Sequence, residues 1–127
     1  MYVAAGDISK EAQTNTVEML DLATGARNWT IFTLACLTPR RRAIMSTIDS
    51  KHILIAGGSP SYGDAVVLNT GGNVETGNAV CRSDFGSFNC QGNAVTVETG
   101  HVIAVDTEGR VVYFNVEQNT LTTIYRF

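Results

Sequence analysis

An all-β fold built from a repeated unit of short antiparallel strands is the class this sequence predicts, and three observations predict it. Apolar residues fall into short runs rich in Val, Ile and Thr, bounded by Gly, Asn or Asp, which is the pattern of strands closed by turns. No segment carries a convincing helical period of about 3.6 residues. Similar runs also recur along the chain at a step of about 50 residues, the length of a four-stranded repeat.

The recurrences can be followed strand by strand. Met1-Tyr2-Val3-Ala4-Ala5-Gly6 is answered by Ile53-Leu54-Ile55-Ala56-Gly57-Gly58 and by Val102-Ile103-Ala104-Val105-Asp106. The step is 52 from Gly6 to Gly58 and 49 from His52 to His101. A second run follows each: Val17-Glu18-Met19-Leu20-Asp21, Ala65-Val66-Val67-Leu68-Asn69 and Val111-Val112-Tyr113-Phe114-Asn115, with Asp or Asn stepping by 48 and then 46. Ahead of the first run, Ala43-Ile44-Met45-Ser46-Thr47-Ile48 is echoed by Ala94-Val95-Thr96-Val97. Counted from the inside out, the first unit supplies strands near 1–6, 15–22 and 28–34 and lacks its innermost one. The second supplies strands near 43–49, 52–58, 64–69 and 73–80, and the third near 93–98, 101–106, 110–116 and 119–125.

Composition agrees and bounds the function. The 127 residues are 44% hydrophobic and 17% charged, with 12 Gly and 2 Pro, which suits an ordinary core and argues against disorder. A net charge of −3 and a pI near 5.2 offer no basis for binding nucleic acid or an anionic membrane surface. No apolar run approaches the roughly 20 residues that span a bilayer. The first residues carry no basic, cleavable leader. The cysteines, Cys36, Cys81 and Cys90, are three in number and form no CxxC pair. A reducing compartment with unpaired thiols is expected.

A repeat of this length holding four short strands is the size of a β-propeller blade. Its residues resemble the kelch family: Gly57 and Gly58 end an apolar strand, Asp21 ends another, Trp29 follows eight residues later, and Pro39-Arg40 precedes the next strand. The first unit has Ala5-Gly6 and the third Val105-Asp106 in place of the glycine doublet, and only the first carries the Trp. The resemblance implies a partial propeller of about three antiparallel blades, the first incomplete, with remnants at 1–35, 40–80 and 91–127. It gives Gly57 and Gly58 a tight turn and close packing, Trp29 a filling position between blades, and Arg40 a tie to a strand or loop carbonyl. Propellers close with about four to eight blades. The open blade faces are therefore expected to be covered by further blades of a longer chain or by another chain. By itself the chain should not be a monodisperse monomer, because residues near Tyr2, Val111 and Phe114 would stay uncovered.

Residues that suggest chemistry have plainer explanations. His52 and His101 open equivalent strands, and no Cys, Asp or Glu recurs beside them at metal-ligand spacing. Gly71-Gly72-Asn73-Val74-Glu75-Thr76-Gly77 lacks the Lys-Ser/Thr end of a phosphate loop and reads as a hairpin turn. Ser59 and Ser61 do not form GxSxG, and Asn28-Trp29-Thr30 is only a formal glycosylation sequon. No catalytic, cofactor or metal residue is assigned.

Loop lengths carry the functional expectation. The connections at 7–14, 35–42, 59–63 and 81–92 are longer than the others and emerge on one face of an up-and-down arrangement. That face offers Arg41, Arg42, Tyr62, Arg82, Asp84, Phe85 and Phe88, the aromatic and Arg mixture of interface anchors. The expected function is a non-catalytic scaffold or adaptor that binds protein through these loops. The expected location is the cytoplasm, cytoskeletal association included. Two alternatives stay open: a catalytic kelch propeller of the sugar isomerase or copper oxidase type, and an architectural subunit of a large assembly.

Overall fold

Apolar–polar alternation places successive side chains on opposite sheet faces. In the computed structural model of the protein it resolves into three antiparallel sheets. The structure describes residues 2–7, 13–20, 22, 25, 28–33, 38–59, 65–70, 79–82, 90–118 and 120–127. The first sheet contains β1 (Tyr2–Asp7), β2 (Gln13–Leu20) and β3 (Trp29–Thr33) in that order. The second contains β4 (Ile44–Thr47), β5 (His52–Ala56), β6 (Ala65–Asn69) and β7 (Ala79–Arg82), again in sequence order. The third contains β8 (Cys90–Glu98), β9 (His101–Asp106), β10 (Arg110–Asn115) and β11 (Thr120–Arg126), each beside its chain neighbour. Every pairing is antiparallel, so the all-β antiparallel class read from the sequence is the observed one.

Local chemistry explains where the strands stop. Asp49 closes the β4–β5 turn, its Oδ1 accepting the backbone N–H groups of Lys51 at 2.7 Å and His52 at 2.8 Å. Asp106 does the same after β9, accepting the N–H groups of Glu108 and Arg110, both at 2.9 Å. Asn115 Oδ1 accepts the Gln118 N–H at 3.0 Å after β10. β5 and β6 read as nearly continuous apolar runs, HILIA and AVVLN, because both of their faces are buried.

The second and third sheets pack face to face around one core. Ile44, Leu54, Ala56, Ala65 and Val67 meet Val102, Ala104, Val112 and Phe114 there. Full burial of a Leu54 or Phe114 side chain stabilises by about 1.5–3 kcal/mol. At the edge formed by the first strand of each sheet, β4 runs beside β8. The Ser46 and Thr96 hydroxyls share a hydrogen bond of 2.7 Å, Thr96 Oγ1 also donates to the Thr47 carbonyl, and the Gly100 N–H donates to the Ile48 carbonyl at 3.3 Å. Ile53, Ile55, Val66 and Leu68, on the far face of the second sheet, are buried as well.

Three expectations change. The outer strand of the second sheet runs through Ala79–Arg82, past the expected end at 80, because its partners are the buried residues Ala65 to Leu68; residues 73–78 lie outside the described residues. Arg82 therefore ends a strand, in register with Ala65, instead of lying in a loop. The inner strand of the third sheet starts at Cys90 rather than 93, with a bulge between Cys90 and Ala94 absorbing the extra residues. Phe114, expected on an open face, is fully buried, whereas Tyr113 beside it is on the outer face. Trp29, at the start of β3, is 40% exposed.

Candidate functional site

The described ends of three of the longer connections meet where β5 finishes. Gly57 and Gly58 both take positive φ, 64° and 96°, and turn the chain out of β5. The Gly58 N–H donates to the Cys90 carbonyl at 2.8 Å, which brings in the start of β8. Arg41 and Ser59 exchange backbone hydrogen bonds, at 3.1 Å from the Arg41 N–H and 2.9 Å from the Ser59 N–H. Beneath them Arg40 is fully buried, its Nη1 donating to the Gly57 carbonyl at 2.8 Å and its Nε to the Thr38 carbonyl at 3.0 Å. A buried guanidinium bonded to two carbonyls pins the 38–42 segment to the end of β5.

Of the residues picked out for partner binding, Arg41 and Arg42 are exposed at this end, and Arg42 has a φ of 56°, uncommon for a side-chain-bearing residue. Arg82 is on β7. Tyr62, Asp84, Phe85, Phe88 and the strand-ending Asp21 lie outside the described residues.

Two groups that sequence reasoning passed over stand at the same end. Asp106 is buried, and its Oδ2 pairs with Arg110 Nε. Burial acts to raise its pKa, but the Arg110 N–H, the Arg110 guanidinium and the Glu108 N–H outweigh it and hold the carboxyl below the usual aspartate range. Cys90, opposite Asp106 in register, is a free, buried thiol. Its pKa is pushed up to about 12 by burial, with Asp106 adding to the effect and Arg110 opposing it. A buried thiol kept protonated is a core residue, not a nucleophile. The sequence signal for Asp106 was the Asp106-Thr107-Glu108-Gly109-Arg110 turn, in which Gly109 supplies the positive φ of 75°.

The depressed carboxyl sets a pH dependence. A group whose folded-state pKa lies below its unfolded value stabilises above that unfolded value, and the stabilisation fades as pH falls through the folded one. Asp106→Asn is expected to cost about 1–3 kcal/mol at neutral pH. The gap between variant and wild type should narrow below the ordinary aspartate value of about 3.9. Urea unfolding of both proteins across acid pH checks this, and a gap independent of pH would rule out the charged pair as its source.

The opposite end holds tight turns and a cleft of about 190 Å³ lined by Ile48, Asp49, His52, Val67, Thr99 and Glu117, among others. His52 Nδ1 lies 2.8 Å from Asp49 Oδ2. The backbone N–H of Lys51 and then the His52 side chain hold the Asp49 carboxyl below its usual range. His101 Nδ1 lies 2.5 Å from Glu98 Oε1, poorly aligned for a hydrogen bond, and its ring stacks on Tyr113 with centroids 5.3 Å apart. Each histidine is thus engaged within its own turn or sheet.

The outer face of the third sheet presents exposed apolar side chains beside the half-buried Ile103, Val111 and Tyr113. Val95 is 62% exposed, Val105 45% and Tyr125 58%. No family model, curated protein or solved structure matches the chain.

Proposed function

We propose that the chain is a run of kelch-type propeller blades serving as a non-catalytic scaffold that binds protein through the end where its longer connections meet. The observation that carries this reading is the convergence of the 38–42, 57–59 and 90 segments on a buried Arg40, with Arg41 and Arg42 exposed above it. Binding residues concentrate on loops held by a rigid base, and Arg is favoured at interface anchors. The kelch-type reading is supported by the shared strand order of the three sheets, by β4 running beside β8, and by the positive φ of Gly57 and Gly58.

Photo-crosslinking tests the binding end. A benzoylphenylalanine at Tyr62 should capture a defined protein in extract, one placed at Lys51 in the opposite turns should not, and Arg41→Glu should reduce the capture. Equal capture from both ends, or capture insensitive to Arg41→Glu, would remove the loop end as the binding surface.

A further inference from the structure

We infer that the outer face of the β8–β11 sheet is a docking site for the β1–β3 sheet of a second copy of this chain, giving a closed head-to-tail pair. The inference rests on the propeller reading above and on an equivalence between sheets that the hydrogen-bond registers define. In the second sheet Ser46 pairs with Leu54 and Leu54 with Val67; in the third, Val95 pairs with Ile103 and Ile103 with Tyr113. Ala56 with Ala65 likewise corresponds to Val105 with Val111. In the second sheet these rows are buried, and Leu54, Ala56, Ala65 and Val67 pack in the core shared with the third sheet. In the third sheet the same rows are open at Val95 and Val105 and only half-buried at Ile103, Val111 and Tyr113. The chain therefore repeats a surface that it elsewhere covers with a sheet of its own kind.

The other end of the chain carries the complementary surface. Val17 of β2 is fully buried, so Glu18, Leu20 and their partners Ile31 and Trp29 form the opposite face of the first sheet, with Ile31 63% exposed. By the repeat steps, Glu18 and Leu20 correspond to Val66 and Leu68 and to Val112 and Phe114. Val112 and Phe114 are the residues with which the third sheet rests on the second. Seating the first sheet of one copy on the third sheet of another thus continues the contact already present within the chain. Two copies supply six of the described sheets, within the about four to eight that close a propeller.

The experiment uses the whole chain. Light scattering at micromolar concentration should give twice the 13.6 kDa protomer mass. A benzoylphenylalanine at Val105, in a mixture of isotopically light and heavy protein, should crosslink between copies to residues of β2 or β3. Val105→Lys should weaken the pair by about 100-fold, and Tyr125→Lys, on a different strand, should act in the same direction. Glu18→Val, which places an apolar residue where the counterpart is Val112, should tighten it. A monomer, a crosslink from Val105 to the β8–β11 sheet of the other copy, or a pair indifferent to both lysines would overturn the inference. A monomer whose Ala104 and Val112 amides still resist hydrogen exchange would do so while leaving the blade architecture standing. Tyr62 capture tests the loop end independently.

Discussion

Replacing Gly57 with valine is expected to destabilise the protein by about 2–5 kcal/mol. Two costs combine at this position. Its φ of 64° lies in the left-handed region, where a β-branched residue is strained by about 1–2 kcal/mol or more. A Cβ built there would also stand 2.5 Å from the Cys90 carbonyl oxygen, which already accepts the Gly58 N–H. Relieving that contact means moving β8 away from the end of β5, with an overpacking cost of about 1–3 kcal/mol. The first added atom does most of the damage, so Gly57→Ala should cost nearly as much. Gly25 supplies the control: its φ is 66°, but no atom of the described residues lies within 4 Å of a Cβ there. Gly25→Ala should carry the backbone cost alone, about 1 kcal/mol. Urea denaturation of the three variants separates the terms. Equal midpoints for Gly57→Ala and Gly25→Ala would mean that the approach of Cys90 is not tight.

Arg40→Ala is expected to cost about 3–5 kcal/mol, because it leaves the Gly57 carbonyl without this donor in a buried site and opens a void the size of a long side chain. The Nη1 bond to Gly57 and the Nε bond to Thr38 come from two edges of one rigid guanidinium. Lysine offers a single charged centre and cannot reproduce that fork, so Arg40→Lys should recover little of the loss. The consequence should be local as well as global. Amide exchange at Arg41 and Ser59, which bond to each other beside it, should accelerate more than exchange at Val102 and Val112. Full recovery of stability by Arg40→Lys would show that charge, not the fork, is what the site uses.

Much of the site was legible because its signals are local. Arg40 stood out by its place before a strand, and Gly57-Gly58 by ending an apolar run where backbone must turn. Asp106 was not picked out, because its partners are backbone N–H groups two and four residues on and a single Arg, a pattern that also occurs in solvated turns. The strand that ends at Arg82 was expected to stop at 80 because two further residues cannot be told from loop by alternation alone. Its position comes from pairing with Ala65 to Leu68 on another strand.

The sequence by itself determined the strands, their antiparallel order and their division into three sheets, since alternation, turn residues and a repeat step all act over a few residues or recur visibly. Only the tertiary structure decided which face of each sheet is covered. β9 and β10 are apolar on both faces, so Phe114 and Tyr113 are equal candidates for burial from composition alone. A shift of one residue exchanges the two faces. Packing against Leu54 and Val67 buries Phe114 and leaves Val95, Val105 and Tyr125 exposed, and that choice belongs to the contact between sheets rather than to any one strand.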